Sequence, residues 1–181
     1  PSNYVCKAAM DLKLECFLKI KNVNELSNWN KNSYLAPPKQ YITTLGRINR
    51  VHERVLYTSN GFLNTLNEIR AKYGNYYAIV KFHLNNDTKF IPLGTYGMDV
   101  EIKRLNNNSI KLNKNAALAE SIFCKFLDNE FNITTNNNYT YKLTIAIKNL
   151  YKNFKLKNYT YVSTKNKNYY DLCFEFNPNT I

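Results

Sequence analysis

The stretch from Arg54 to Lys72 constrains the fold more than any other part of the chain. Arg54-Val55-Leu56-Tyr57-Thr58 is a β-branched and aromatic run of strand length. It passes through Ser59-Asn60-Gly61 straight into a helical pattern. Phe62, Leu63, Leu66, Ile69 and Tyr73 recur on one face, Ser59 or Asn60 is placed to cap the start, and Gly74 to end it. A helix is therefore expected over 60–72, with those apolar side chains turned to the core. A strand feeding a helix calls for a sheet with a helix packed on it. Neither GxxxxGK[ST] nor GxGxxG occurs, so the junction is not one of the usual glycine-rich phosphate cradles.

The remainder shows no internal repeat. Cys16-Phe17-Leu18-Lys19-Ile20-Lys21 reads as a first strand, and 22–45 as a polar loop carrying Trp29 and Pro37-Pro38. Tyr76 to Leu84 and Lys89 to Leu93 read as strands separated by a turn at Asn85-Asn86-Asp87. Asn115 is placed to cap a helix from Ala116 to about Leu127, with Leu118, Ile122, Phe123 and Phe126 inward. A further helix is expected over 141–154, although Leu143, Ile145 and Ile147 would also suit a strand. Two last strands are expected at 159–164 and 171–176. Strands and helices mix without βαβ alternation, which predicts an α+β fold rather than a doubly wound α/β one. Residues 1–16 stand apart as an N-terminal extension, with Val5, Ala8, Ala9 and Leu12 at helical spacing.

At 181 residues the chain is long enough for one domain with a sizeable core, and 44% hydrophobic residues exclude a disordered chain. No run approaches the ~18 apolar residues of a membrane span. The formal charge is +12, from 25 Lys and Arg against 13 Asp and Glu. That surplus has two readings, a solvated lysine surface or a surface that attracts phosphates. The basic residues are spread along the chain, with the densest group at Lys148, Lys152, Lys155 and Lys157. The four cysteines form no CxxC pair, and His52 and His83 are isolated, so no metal is expected. Cys124 and Cys173 lie in apolar runs and are expected as buried free thiols, which suits a reducing cytoplasm. The N-terminal Pro-Ser-Asn-Tyr has no signal pattern. With 30 Asn in the chain, Asn-x-Ser/Thr triplets such as those at Asn132, Asn138 and Asn158 are expected by chance.

Common catalytic signatures are missing. There is no GxSxG elbow, and the carboxylates are scattered, with Asp99-Val100-Glu101 the closest approach to a cluster. One pattern stands out: Gly46-Arg47-Ile48-Asn49, a short turn, Val55-Leu56-Tyr57-Thr58-Ser59, then a helical segment bearing Glu68. It resembles the signature of the RES-domain family, whose name records an Arg, a Glu and a Ser. Gly46, Arg47, Asn49, Val55, Leu56, Tyr57, Ser59 and Glu68 match at similar spacing, and the preceding Pro37-Pro38 also suits the family. Near the C-terminus, Tyr161-Val162-Ser163 and Tyr170-Asp171-Leu172-Cys173-Phe174 resemble the family's Y-P-S segment and closing strand. The chain departs from the family pattern at three places. His52 stands where a turn Gly is usual, Val162 where a Pro is usual, and an Arg of the first strand is absent, Lys19 being the nearest cation.

The resemblance, covering roughly residues 17–178, implies a single catalytic domain over 17–181, a compact mixed sheet with flanking helices like that of ADP-ribosyltransferases. It implies NAD as substrate, cleavage of the nicotinamide–ribose bond, and transfer of ADP-ribose to water, phosphate or a protein acceptor. It further implies a bacterial toxin of a toxin–antitoxin pair, with an Xre-type antitoxin as partner. The residues suit this chemistry. An oxocarbenium-like ribose needs a nearby carboxylate, for which Glu68 is the candidate, and the alternative is a solvated helix glutamate. Arg47 offers a guanidinium fork to the diphosphate or the nicotinamide ribose, or else a surface ion pair with Glu53. Tyr57 could stack on a base or simply pack the core. Ser163 could bond the dinucleotide or orient Glu68, or satisfy a strand end. Asn49 and Ser59 are weaker ligand candidates, with turn and cap roles as alternatives, and Lys19 is a further cation for the dinucleotide. Two competing functions remain: a basic nucleic-acid-binding domain, supported by +12 and 15 Tyr, and a catalytically inactive RES-like binding protein.

Overall fold

The computed structural model describes residues 15–18, 35–77, 80–83, 90–94, 114–133, 138–151, 158–164 and 170–175. Residues 1–14 of the extension expected over 1–16, Lys19, Trp29, the turn at 85–87, the pair Asp99 and Glu101, and Lys152, Lys155 and Lys157 lie outside them. The described residues carry eleven Lys and Arg against eight Asp and Glu, so most of the positive surplus lies elsewhere in the sequence.

The fold is α+β. Its strands are β1 (Glu15–Leu18), β2 (Val55–Ser59), β3 (Lys81–His83), β4 (Ile91–Leu93), β5 (Asn158–Val162) and β6 (Tyr170–Glu175). They form one sheet in the order β3-β1-β2-β6-β5-β4. The pairs are antiparallel except β4 with β5. The helices among the described residues are α1 (Phe62–Glu68), α2 (Lys114–Asn132) and α3 (Asn138–Tyr151). Strand expectations thus hold to within a few residues, and Glu15 and Cys16 belong to a strand rather than to a helical extension. Between residues 35 and 54 the chain makes bends and a 3-10 turn at Lys39–Tyr41.

Register decides which side chains share a face, because strand side chains alternate. Tyr57 lies opposite Cys173, which lies opposite Tyr159, and Ser59 lies opposite Asp171, which lies opposite Tyr161. Ile91 and Leu93 of β4 continue the row. Cys173, Tyr159, Tyr161, Ile91 and Leu93 make one buried cluster with Ile48 and Val55, with Leu127 and Phe131 of α2, and with Ile147 of α3, and Tyr57 packs against it. Phe131 packs on Tyr161 with ring centroids 5.7 Å apart. Cys124 and Cys173 are buried free thiols.

The helices differ from the pattern read in the sequence. In α2 the inward residues are Cys124, Leu127 and Phe131, while Leu118, Ile122, Phe123 and Phe126 are exposed. The stripe expected to face the core faces outward, away from the side that packs on β4 and β5. Residues 138–151 are helical, which settles the strand-or-helix ambiguity. The i, i+3, i+4 residues Thr144, Ile147 and Lys148 face inward, while Leu143 is exposed.

Lys148, a member of the densest basic group in the sequence, is fully buried. Its Nζ lies 2.7 Å from both Glu53 Oε1 and Glu175 Oε1 and 5.7 Å from the centre of the Tyr159 ring. A lone buried ammonium costs several kcal/mol, and two carboxylates compensate it here. The triad joins the β2 approach, β6 and α3.

Candidate active site

β2 and β5 flank β6 and run in the same direction, so both leave the sheet at one end. The sequence leaving β2 is Ser59-Asn60-Gly61 and then α1; the residue leaving β5 is Ser163. The two ends of the motif, far apart in sequence, are brought together by this topology.

α1 is shorter than the spacing suggested and is turned the other way. It starts from Gly61 as its N-cap, rather than from Ser59 or Asn60. It ends at Glu68 with Ile69 as its C-cap, and the chain then turns through Arg70, which adopts φ 51°, with Arg70 N–H donating to Asn67 O and Ala71 N–H to Leu66 O. Gly74, φ 85°, belongs to the next turn. Phe62 and Leu63 are exposed, as is Tyr73, and the buried residues are Asn64 and Thr65. Thr65 Oγ1 donates to Gly61 O (2.9 Å), so that buried hydroxyl is bonded within its own turn. Glu68, one turn beyond Asn64, shares the inward polar face.

Four side chains form a continuous hydrogen-bonded chain. Asn64 Nδ2 donates to Ser59 Oγ at 2.7 Å. Ser163 Oγ lies 3.0 Å from Asn64 Oδ1 and 3.0 Å from Glu68 Oε1. Ser59, Asn64 and Ser163 are each 0% exposed, while Glu68 is half-buried. The carboxylate is therefore held from below by Ser163, 95 residues away in the chain, with its outer part open to solvent.

Beside it, the Gly46–Asn49 turn is locked to β2. Gly46 N–H donates to Asn49 O (3.0 Å), Tyr57 Oη donates to Asn49 Oδ1 (2.8 Å), and Ile48 N–H donates to Tyr57 Oη (3.2 Å). A Cβ on Gly46 would collide with the Asn49 carboxamide and press on the Tyr57 hydroxyl, which explains the Gly at this position. Tyr57 thus spends its hydroxyl on the turn, and burial together with neighbouring Cys173 pushes its phenol well above the ordinary value. His52, at the position where the resemblance expects a turn Gly, has φ 62°. Its N–H donates to Ile42 O and its Nδ1 lies 3.0 Å from Lys39 O.

Arg47 is presented by this turn. Its carbonyl accepts a bond from Thr144 Oγ1 of α3, its guanidinium lies 5.3 Å from the centre of the Tyr161 ring, and Nη2 donates to Ile133 O at 3.3 Å. Burial works against its charge. The nearby Tyr161, Tyr141, Asp171 and Glu68 outweigh that and raise its pKa further, so the guanidinium is always charged. Arg47 and Glu68 thus lie within electrostatic reach of each other. The ion pair considered for Arg47 with Glu53 is not formed: Glu53 pairs with Lys148 and accepts the Arg50 N–H.

Of the residues singled out in the sequence, Glu68, Ser163, Ser59 and Arg47 come together, and Asn49 and Tyr57 support Arg47. Lys19 lies outside the described residues. Asn64, which links Ser59 to Ser163, was not singled out, and the available signal was a polar row at 64, 65 and 68 on one helix face. Among the described residues there is no group of three or more His, Cys, Asp or Glu that could hold a metal ion, and no helix is long and apolar enough to cross a membrane. No protein-family model, curated protein or solved structure matches the chain.

Proposed function

We propose that the chain is an NAD-consuming enzyme with an ADP-ribosyltransferase-like fold that breaks the nicotinamide–ribose bond. The observation that carries this reading is the Ser163–Glu68 hydrogen bond beside Arg47. Glu68 and Ser163 stand 95 residues apart in the sequence, and Arg47 lies within electrostatic reach of the carboxylate they hold.

The chemistry follows from these groups. As nicotinamide departs with the bonding electron pair, positive charge builds on the ribose, and the half-buried Glu68 carboxylate stabilises it or holds a ribose hydroxyl. Ser163 fixes the carboxylate so that little reorganisation is needed during the step. Arg47 supplies a permanent positive charge for the diphosphate, and its orientation is set by the Tyr161 ring, Ile133 O and the Gly46–Asn49 turn. Tyr57 acts here by holding that turn. ADP-ribose then passes to water, phosphate or a protein side chain.

The test is free nicotinamide release from NAD, with water, phosphate and protein acceptors in turn. Glu68→Gln is expected to lower kcat by a factor on the order of a hundred or more, the scale of losing a positioned electrostatic group. Arg47→Ala is expected to act mainly on KM. A folded wild-type protein that releases no nicotinamide with any acceptor would sink the reading. In the cell the same reading makes the chain a toxin restrained by an Xre-type antitoxin. Growth arrest on expression that depends on Glu68, and its relief by the product of an adjoining gene, would test that role.

A further inference from the structure

We propose that Asn64 is a positioning residue whose carboxamide commits the Ser163 hydroxyl proton to Glu68. The kinetic part of this proposal rests on the NAD-cleaving reading; the hydrogen-bonding part does not.

A serine hydroxyl has one proton, and Ser163 Oγ lies 3.0 Å from two acceptors, Asn64 Oδ1 and Glu68 Oε1. While the amide oxygen faces Ser163, the two acceptors compete for that proton. Turning the carboxamide about its last torsion exchanges its oxygen for the isosteric NH2. Nδ2 then donates to Ser163 Oγ, and the Ser163 proton goes wholly to Glu68. The other end of the amide keeps a partner of the right chemistry, because a hydroxyl such as Ser59 Oγ, 2.7 Å away, accepts from Nδ2 in one orientation and can donate to Oδ1 in the other. Asn64 is thus a two-position element between two hydroxyls that each accept either role.

The charge on Glu68 selects the position. A bond to an ionised carboxylate is roughly twice as strong as a neutral one, so an ionised Glu68 draws the Ser163 proton and turns the amide NH2 toward Ser163. The chain then runs in one direction, Ser59 to Asn64 to Ser163 to Glu68, and each bond polarises the next. Both hydroxyls and the amide are fully buried. Aspartate at this position would offer only acceptors, and leucine would offer nothing. Asparagine has both roles on one rigid group.

The experiment is NMR of the Asn64 side-chain amide in 15N-labelled protein, in four forms: unaltered, Glu68→Gln, Ser163→Ala and the double variant. Glu68→Gln is expected to shift the Asn64 NH2 resonances when Ser163 is present and to leave them in place when Ser163 is alanine. No shift with Ser163 present overturns the proposal, and so does an equal shift in both backgrounds. The kinetic arm uses Asn64→Leu with NAD as substrate. The expected result is a roughly 10- to 100-fold loss in kcat, the cost of a misplaced group, with KM changed by less than about threefold. Asn64→Leu added to Ser163→Ala is expected to cause no further loss, whereas independent losses that multiply would overturn the proposal. If the unaltered protein releases no nicotinamide, the NAD reading fails, and the NMR arm, which needs no turnover and no substitution of Asn64, still decides the network.

Discussion

α1 and α2 both carry an apolar stripe at helical spacing, and both leave much of it exposed, yet the two helices are held by opposite means. α2 is apolar on a second side as well, and buries Cys124, Leu127 and Phe131 in the main core. α1 buries no apolar residue fully: it buries Asn64 and Thr65 and half-buries Leu66, Glu68 and Ile69. For α2, removal of apolar surface from water suffices. For α1 every inward group needs a partner, and Ser59, Ser163 and Gly61 O provide them. The difference teaches that an amphipathic stripe tells where a helix is apolar, not which side the fold will bury. A short helix with a polar inward face marks a site rather than a core.

Alkali gives the largest effect expected to test the α2 side. Burial, then Cys173 and Asp171, push the Tyr161 phenol well above its ordinary 10.0, and burial likewise raises Tyr57. Below pH 10 both the folded and unfolded chains hold these protons, so the stability is fully present. Above it the unfolded chain releases protons that the folded chain keeps, and stability falls by about 1.4 kcal/mol per pH unit for Tyr161 alone. Tyrosinate absorbance should therefore lag behind a free-tyrosine titration and then rise together with loss of circular dichroism. A smooth titration in folded protein would show Tyr161 to be open to water.

Next comes Phe131→Ala, expected to cost about 3–5 kcal/mol in denaturant unfolding because it empties the contact of α2 with Tyr161. Thr65→Val on α1 should cost about 1 kcal/mol, the net value of one bonded buried hydroxyl. Smallest are Phe62→Ser and Leu63→Ser, each expected within about 0.5 kcal/mol of the parent. A loss of 2 kcal/mol or more from Leu63→Ser would mean that α1 faces the core with its apolar stripe, and the contrast between the helices would collapse.

The strands were legible because aromatic and β-branched runs such as Val55–Ser59 and Asn158–Val162 have few other uses. The long helices were legible as helices, though the register of α2 was not: Phe123 and Phe126 look as suitable for a core as Leu127 and Phe131. Only the packing against β4 and β5 separates them. Glu68, Arg47, Tyr57 and Ser163 were named through the resemblance to the RES-domain signature, and the structure adds that Tyr57 serves the turn carrying Arg47. Asn64 was hidden by composition, since one more Asn among 30 carries no signal of its own. The buried role of Lys148 was not legible because neither partner is near it in sequence: Glu53 and Glu175 reach it only through the fold.

The strand order has a consequence for synthesis. β2 pairs with β6, and β4 with β5, so strands made early wait for partners made late. Such long-range pairing closes slowly and cannot begin until its second half exists. A growing chain that already contains Arg47 and Glu68 has no Tyr161 ring beneath the one and no Ser163 hydroxyl beneath the other. The site comes into being only after the ribosome has delivered β5 and β6, so an interrupted translation product carries the motif without the geometry.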